Sequence, residues 1–280
     1  MNYVHATELF VQWMRVKGLA DSTINNYSSQ VRSFGQHFKE VDRFRNITSE
    51  QIMEYLLIKV ATNSQRHAHS ALKLFYTNIV KQPMKFKYIP YAKTEKKLPQ
   101  PLEASEIAAM LNVCANTKHR VILFLLYGCG LRIQEMIDLK WTDIDREGRV
   151  IHVVNGKGKK DRKVQLYTEL IDLLTYYYKE YRSELNSCEF VLKGQFSNQY
   201  TQTSVNQVLK QLARKAGIRR NVHAHLLRHS YATHLLDHGT DLRTIQELLG
   251  HSSSKTTQIY THVSKYKISN TPSPMSFIQS

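Results

Sequence analysis

The sequence predicts a mainly helical protein with one small β element, an α+β chain in two domains. Three observations carry that expectation. Apolar residues recur at three- and four-residue intervals through most of the 280 residues, the period of helices that bury one face. One pair of short apolar runs, "VIHVV" and "KVQL", flanks the polar turn "NGKGKKD", as a hairpin requires. A lysine- and proline-rich break separates the first helical block from the rest, and such a segment makes a poor helix.

Residues 5–80 read as four helices, carried by "VHATELFVQWMRVKG", "DSTINNYSSQVRSFGQHF", "TSEQIMEYLLIKVA" and "SQRHAHSALKLFYTNIV". Asp21 or Ser22, and Thr48, stand where side chains cap helix starts, and Gly18 stands where a helix stops. Residues 81–97 then hold six lysines against one acid, with Pro83 and Pro90 among them and Pro99 and Pro101 just beyond. An N-terminal helical domain is therefore expected over 1–82, a basic linker over 83–100, and a second domain with a C-terminal tail over 101–280.

In the second domain, helices are expected near 103–114 and 118–127, then a helix start in "GCGLRIQEMIDL", then the hairpin. "ELIDLLTYYYKEYRSEL" and "TSVNQVLKQLARKAG" follow as helices, and Tyr176, Tyr177, Tyr178 and Tyr181 read as helix packing and surface rather than a base-stacking platform. "HAHLLRHSYATHLLDHG" reads as a helix closed by Gly239, and "TDLRTIQELLG" as one capped by Thr240 or Asp241 and stopped by Gly250.

Composition narrows the function. With 39 Lys and Arg against 23 Asp and Glu, the formal charge is +16, which points to nucleic acid first and an acidic membrane surface second. Residues 1–100 carry 15 basic and 7 acidic side chains and residues 101–280 carry 24 and 16, so each half stands at +8. No apolar stretch approaches the roughly 20 residues needed to cross a bilayer, and the N-terminus lacks the order of a signal peptide, so a cytoplasmic protein with no membrane partner is expected. Cys114, Cys129 and Cys188 show no paired metal-ligand spacing and read as small hydrophobes in a reducing compartment.

The chemistry gathers toward the C-terminal end, where "LLGHSSSKTTQIYTH" holds His251 and Tyr260. A tyrosine hydroxyl, with a pKa of about 10, is a poor nucleophile until a base takes its proton and cations stabilise the product charge. His225 and Arg228, three apart on one helix, offer a base beside a permanent cation. Arg132 sits behind two glycines at a helix start, with Glu135 three residues on to hold its guanidinium. Lys157 lies between Gly156 and Gly158 in the hairpin turn. Its rivals are Lys159 and Lys160, and those of His225 are His223 and His229; the glycine flanks and the H-x-x-R spacing favour Lys157 and His225. Two arginines, a lysine, two histidines and a tyrosine suit a metal-free displacement at phosphorus: arginines neutralise the pentacoordinate state and a lysine protonates the leaving oxygen. The pairs His67 and His69, and His223 and His225, lack a third ligand, so neither a metal nor a cofactor is expected.

These residues, in "GLRIQE", "NGKGKKD", "HLLRHSYATHLL" and "LLGHSSSKTTQIYTH", resemble the tyrosine recombinases of the phage integrase family, in the style of the bacterial XerC and XerD proteins. The resemblance covers about residues 101–262 and extends to the N-terminal lobe, where "FVQWMRVKGLADSTINNYSSQVRSF" is similar to the family's helical core-binding, SAM-like domain. It implies a two-domain clamp on double-stranded DNA with a specific recombination site, and a homotetramer on that DNA, alone or with a related recombinase. It implies that Tyr260 attacks the scissile phosphate to leave a 3′-phosphotyrosyl link, on the way to a Holliday junction. Arg132, Arg228 and His251 would bind the phosphate, His225 would act as base, Lys157 as general acid, and Glu135 in support. Lys93, Lys96 and Lys97 of the linker would contact the DNA backbone. Pro272 and Pro274 in the tail argue for a short docking peptide over a long exchanged helix. The roles left open run from integration or excision of a mobile element to chromosome resolution. Competing readings are a type IB topoisomerase and a catalytically silent DNA-binding protein.

Overall fold

The computed structural model describes residues 3–60, 64–91, 100–154, 161–181, 189–194 and 198–250. The chain divides into two compact units, Met1–Lys96 and Lys97–Ser280.

The first unit is helical. It comprises α1 (Tyr3–Val16), α2 (Asp21–His37), α3 (Ser49–Val60) and α4 (Gln65–Phe75), the last running into a π-helical turn at Tyr76–Val80. Thr48 caps α3 reciprocally: its Oγ1 accepts from the Gln51 amide at 3.3 Å, and its own amide donates to Gln51 Oε1 at 2.9 Å. At α2 the cap position falls instead on Ala20, which makes no side-chain bond, and Asp21 is the first helical residue. The core is aromatic, with Phe34 packed against Phe38, Phe44, Tyr55 and Tyr76.

The unit continues past residue 82, where the lysines and prolines suggested the linker begins. Pro83–Phe86 forms a 3₁₀ turn, and both Phe86 and Ile89 are buried in the helical core. The reason is local: Phe86 meets the rings of His69 and Tyr76, and the His69 ring contacts the Ile89 carbonyl at 3.4 Å. The two apolar side chains override the polar composition around them.

The second unit opens with α5 (Ala104–Asn112) and α6 (Thr117–Leu123), then a π-helical turn at Phe124–Gly128 and the short α7 (Ile133–Ile137). The hairpin is present as β2 (Val150–Val153) and β3 (Arg162–Gln165), and β1 (Ile144–Asp145) adds a third antiparallel strand to β2. Ile151 pairs with Val164 in register, both facing the core. Four helices complete the described unit: α8 (Thr168–Glu180), α9 (Gln202–Lys215), α10 (Ala224–Asp237) and α11 (Leu242–Leu249). On α8, Tyr177 is fully buried while Tyr176 and Tyr178 are exposed.

Helix α10 is buried along most of its length, with His225 exposed near its start. Arg228, His229, Ser230 and Thr233 are buried along with its apolar residues. Such a helix must satisfy its polar groups internally. Ser230 does so by accepting from the Leu102 amide at 2.8 Å and donating to the Leu226 carbonyl at 2.9 Å. Among the described residues, no helix is long and apolar enough to cross a membrane.

Candidate active site

Three elements of the second unit deliver charged side chains to one place, and a fourth brings the carbonyls of its C-terminal end. Helix α10 carries His225 and Arg228, and Arg132 is the cap residue of α7. The Arg132 amide donates to Glu135 Oε2 at 2.8 Å, so the carboxylate closes the helix start and also faces the arginine side chain. Strand β3 begins with Arg162, and α11 ends at Gly250 in the left-handed conformation with φ 61°.

Glu135 is the hub. Arg162 grips it with two parallel bonds, Nη1 to Oε1 at 2.8 Å and Nη2 to Oε2 at 2.7 Å, the fork geometry that guanidinium and carboxylate share. Arg132 Nη1 reaches Oε1 at 2.6 Å, and Arg228 Nη1 stands 3.7 Å from Oε2. The same three arginines also meet the end of α11. Arg162 Nε donates to the Leu248 carbonyl at 2.8 Å, Arg228 Nη2 donates to the Leu249 carbonyl, and Arg132 Nη2 donates to the Gly250 carbonyl at 2.9 Å. Three successive carbonyls at a helix C-terminus, with the negative end of its dipole, thus take one guanidinium each.

The arginines differ in access. The Arg132 side chain is 23% exposed, whereas those of Arg162 and Arg228 are 7% and 2% exposed. Arg228 is further held by its Nη1 bond to the Gly130 carbonyl at 2.6 Å.

Two ionisations follow from this arrangement. Burial alone would raise the Glu135 carboxyl, but the Arg162 hydrogen bonds and charge, with the Arg132 amide and side chain, pull it down to about 2. His225 is exposed near the start of α10. Its partial burial, then the charges of Arg228, His223, His229 and Arg132, lower its imidazole below the ordinary 6.5. It is therefore neutral at physiological pH and free to take a proton. The His225 ring is accordingly expected to titrate at lower pH than an ordinary imidazole. An NMR titration of its ring protons checks this, and a ring titrating at or above 6.5 would refute the influence of the neighbouring arginine charges.

Of the alternatives to His225, His229 is buried and the His223 ring contacts the Asn221 carbonyl at 3.3 Å. Arg132, Glu135 and Arg228 are thus brought together, and His225 precedes Arg228 by three residues on α10. Lys157 and its rivals Lys159 and Lys160, together with His251, Tyr260, Lys93, Lys96 and Lys97, lie outside the described residues.

Arg162 is the residue that sequence reasoning missed. A signal was present: Arg162, Val164 and Leu166 share the inward phase of the strand, with Lys163 and Gln165 facing out. A charge at an inward strand position needs a buried partner.

Gly130, whose carbonyl accepts from Arg228, is closely packed. Its φ is 60°, and a Cβ there would fall 2.5 Å from Tyr231 Cδ1 and 2.6 Å from Cε1. Gly130→Ala is expected to cost about 1–3 kcal/mol through overpacking and left-handed strain, readable as a lowered denaturant midpoint. An unchanged midpoint would refute both the overpacking and the left-handed strain at this position.

Residues 100–267 match the model of the phage integrase family, and residues 7–85 match that of the phage integrase N-terminal SAM-like domain. The chain is 32% identical to tyrosine recombinase XerD of Oceanobacillus iheyensis, over 94% of this chain and 95% of that protein. It is also 32% identical to tyrosine recombinase XerC of Lacticaseibacillus casei, over 93% of this chain and 95% of the relative. Among solved structures, the post-cleavage complex of XerH site-specific recombinase bound to palindromic difH substrate superposes with a TM-score of 0.69 at 28% identity, covering 87% of this chain and 77% of that one.

Proposed function

The chain belongs to the phage integrase family and is a tyrosine site-specific recombinase acting on DNA; from that premise we propose how its own residues carry the reaction. The Tyr260 oxygen attacks the scissile phosphorus as His225 takes the phenolic proton. The bond to the 5′-oxygen breaks, and that oxygen leaves as a hydroxyl with a proton from Lys157. The 3′-phosphotyrosyl link keeps one phosphodiester for another, so rejoining needs no nucleotide triphosphate. Rejoining is the same path reversed, with a 5′-hydroxyl of the partner strand as nucleophile, and passes through a Holliday junction.

In the pentacoordinate state, Arg132 and Arg228 face the non-bridging oxygens and His251 donates to one of them. Arg132 offers the more open guanidinium, while Arg228 exchanges its contact with the Leu249 carbonyl for a phosphate oxygen. Lys93, Lys96 and Lys97 contact the backbone of the duplex and add to its salt-sensitive affinity. The working form is a homotetramer on two recombination sites, and its task is movement of a mobile element or chromosome resolution.

The observation that supports this reading best is the convergence of Arg132 and Arg228 on Glu135, with His225 three residues before Arg228 on the same helix. The experiment incubates the protein with nicked duplexes drawn from the DNA flanking its own gene. A protease-sensitive covalent adduct whose DNA-bearing peptide contains Tyr260 is expected. An adduct on another residue, or tight binding with no adduct on any fragment, would overturn the assignment.

A further inference from the structure

We propose that Arg162 is a positioning residue for recombination: by gripping the Glu135 carboxylate and the Leu248 carbonyl at once, it sets the arginine pair that faces the scissile phosphate against the last turn of α11. The inference rests on the reading that Arg132 and Arg228 meet that phosphate.

All three nitrogens of Arg162 are engaged, Nη1 and Nη2 by Glu135 and Nε by Leu248, and the side chain is 7% exposed. Its double grip on one carboxylate separates it from Arg132, which reaches Glu135 through a single side-chain nitrogen. What it holds is informative. Glu135 Oε1 is shared between Arg162 Nη1 at 2.8 Å and Arg132 Nη1 at 2.6 Å, so Arg162 fixes the far side of the group that orients Arg132. The same carboxylate stands 3.7 Å from Arg228.

The second attachment concerns α11. Its Leu248, Leu249 and Gly250 carbonyls take one arginine each, so the helix end and the arginine cluster are set in register. The stem of Arg162 also packs beneath Gly250, where an added Cβ would lie 2.9 Å from Arg162 Cδ. Gly250 immediately precedes His251 in the chain. Arg162 therefore joins strand β3, the start of α7 and the end of α11 through one planar group. Lysine cannot reproduce this, because a single ammonium does not match both carboxylate oxygens and a carbonyl in one plane.

The test uses full-length Arg162→Lys, Arg162→Gln, Arg132→Ala and Arg228→Ala on the nicked duplex that gives the wild-type adduct. The duplex is made once with its natural phosphate and once with a methylphosphonate at the scissile position. The methylphosphonate has lost a negative charge, so misplaced guanidiniums matter less to it. For Arg162→Lys, adduct formation is expected to slow by about 10- to 100-fold on the phosphate, as for other groups that orient a reacting centre. Duplex affinity should stay within about threefold, and the defect should shrink on the methylphosphonate, as is also expected of Arg132→Ala.

Equal slowing on both duplexes, or none on either, would overturn the positioning role. If circular dichroism shows both Arg162 variants unfolded, Arg162 is a folding determinant and the proposal also falls. If instead Arg132→Ala and Arg228→Ala are slowed equally on both duplexes, the phosphate-binding reading itself fails, whatever Arg162 does.

Discussion

Tyr260→Phe is expected to abolish the covalent protein–DNA adduct while leaving duplex affinity within about threefold. The change removes one oxygen and keeps the ring, so whatever packing the ring supplies is retained. Affinity for DNA is carried mainly by cations against phosphates, and the chain keeps all of its formal +16. Chemistry is a separate matter, because phenylalanine has no lone pair to place on phosphorus. Loss of a nucleophile in covalent catalysis lowers turnover by a factor on the order of 10⁶, below the detection of a gel. A residual adduct at even a hundredth of the wild-type yield would show that another side chain attacks.

Glu135→Ala is expected to cost about 3–5 kcal/mol of stability, the scale on which breaking a buried ion pair acts, and to remove cleavage activity with it. The carboxylate is 6% exposed and faces Arg132, Arg162 and Arg228. Without it, two guanidiniums that are 7% and 2% exposed share no counter-ion at that point. The pH dependence gives a second handle. The folded-state value of about 2 lies below the ordinary 4.5, so folding favours the ionised carboxylate. Its contribution, about 3 kcal/mol at about 1.4 kcal/mol per pH unit, is complete above pH 4.5 and is lost as pH falls toward 2. Denaturant midpoints measured from pH 5 down to pH 2 should therefore fall more steeply in wild type than in Glu135→Gln, and parallel curves would refute the hub.

Local signals in the chain were dependable where the physics is local. The reciprocal cap at Thr48, the Asp241 cap of α11, whose side chain accepts from the Thr244 amide at 2.9 Å, and the stop at Gly250 all depend on groups within four residues. The Arg132–Glu135 pair belongs to the same class, three residues apart at a helix start. The linker boundary was less legible, because lysines and prolines dominate the composition from residue 81 onward while burial is decided by Phe86 and Ile89. Helix α10 was legible as a helix closed by Gly239, but its burial was not: Arg228, His229, Ser230 and Thr233 lie inside with its apolar residues, so most of its polar residues mark no solvent face.

What the sequence by itself determined is the class of protein and the inventory of its chemistry: helical blocks at a 3.6-residue period, one hairpin, and an ordered set of arginines, histidines, a lysine and a tyrosine at family spacing. Only the tertiary structure decided that Arg132, Arg162 and Arg228 share one carboxylate and cap three consecutive carbonyls. Those bonds to Gly250, Leu248 and Leu249 span 118, 86 and 21 positions of the chain. Contacts at that range depend on how helices and strands pack, which no local period encodes, and an inward-facing Arg162 acquires its meaning only once Glu135 has been brought opposite to it.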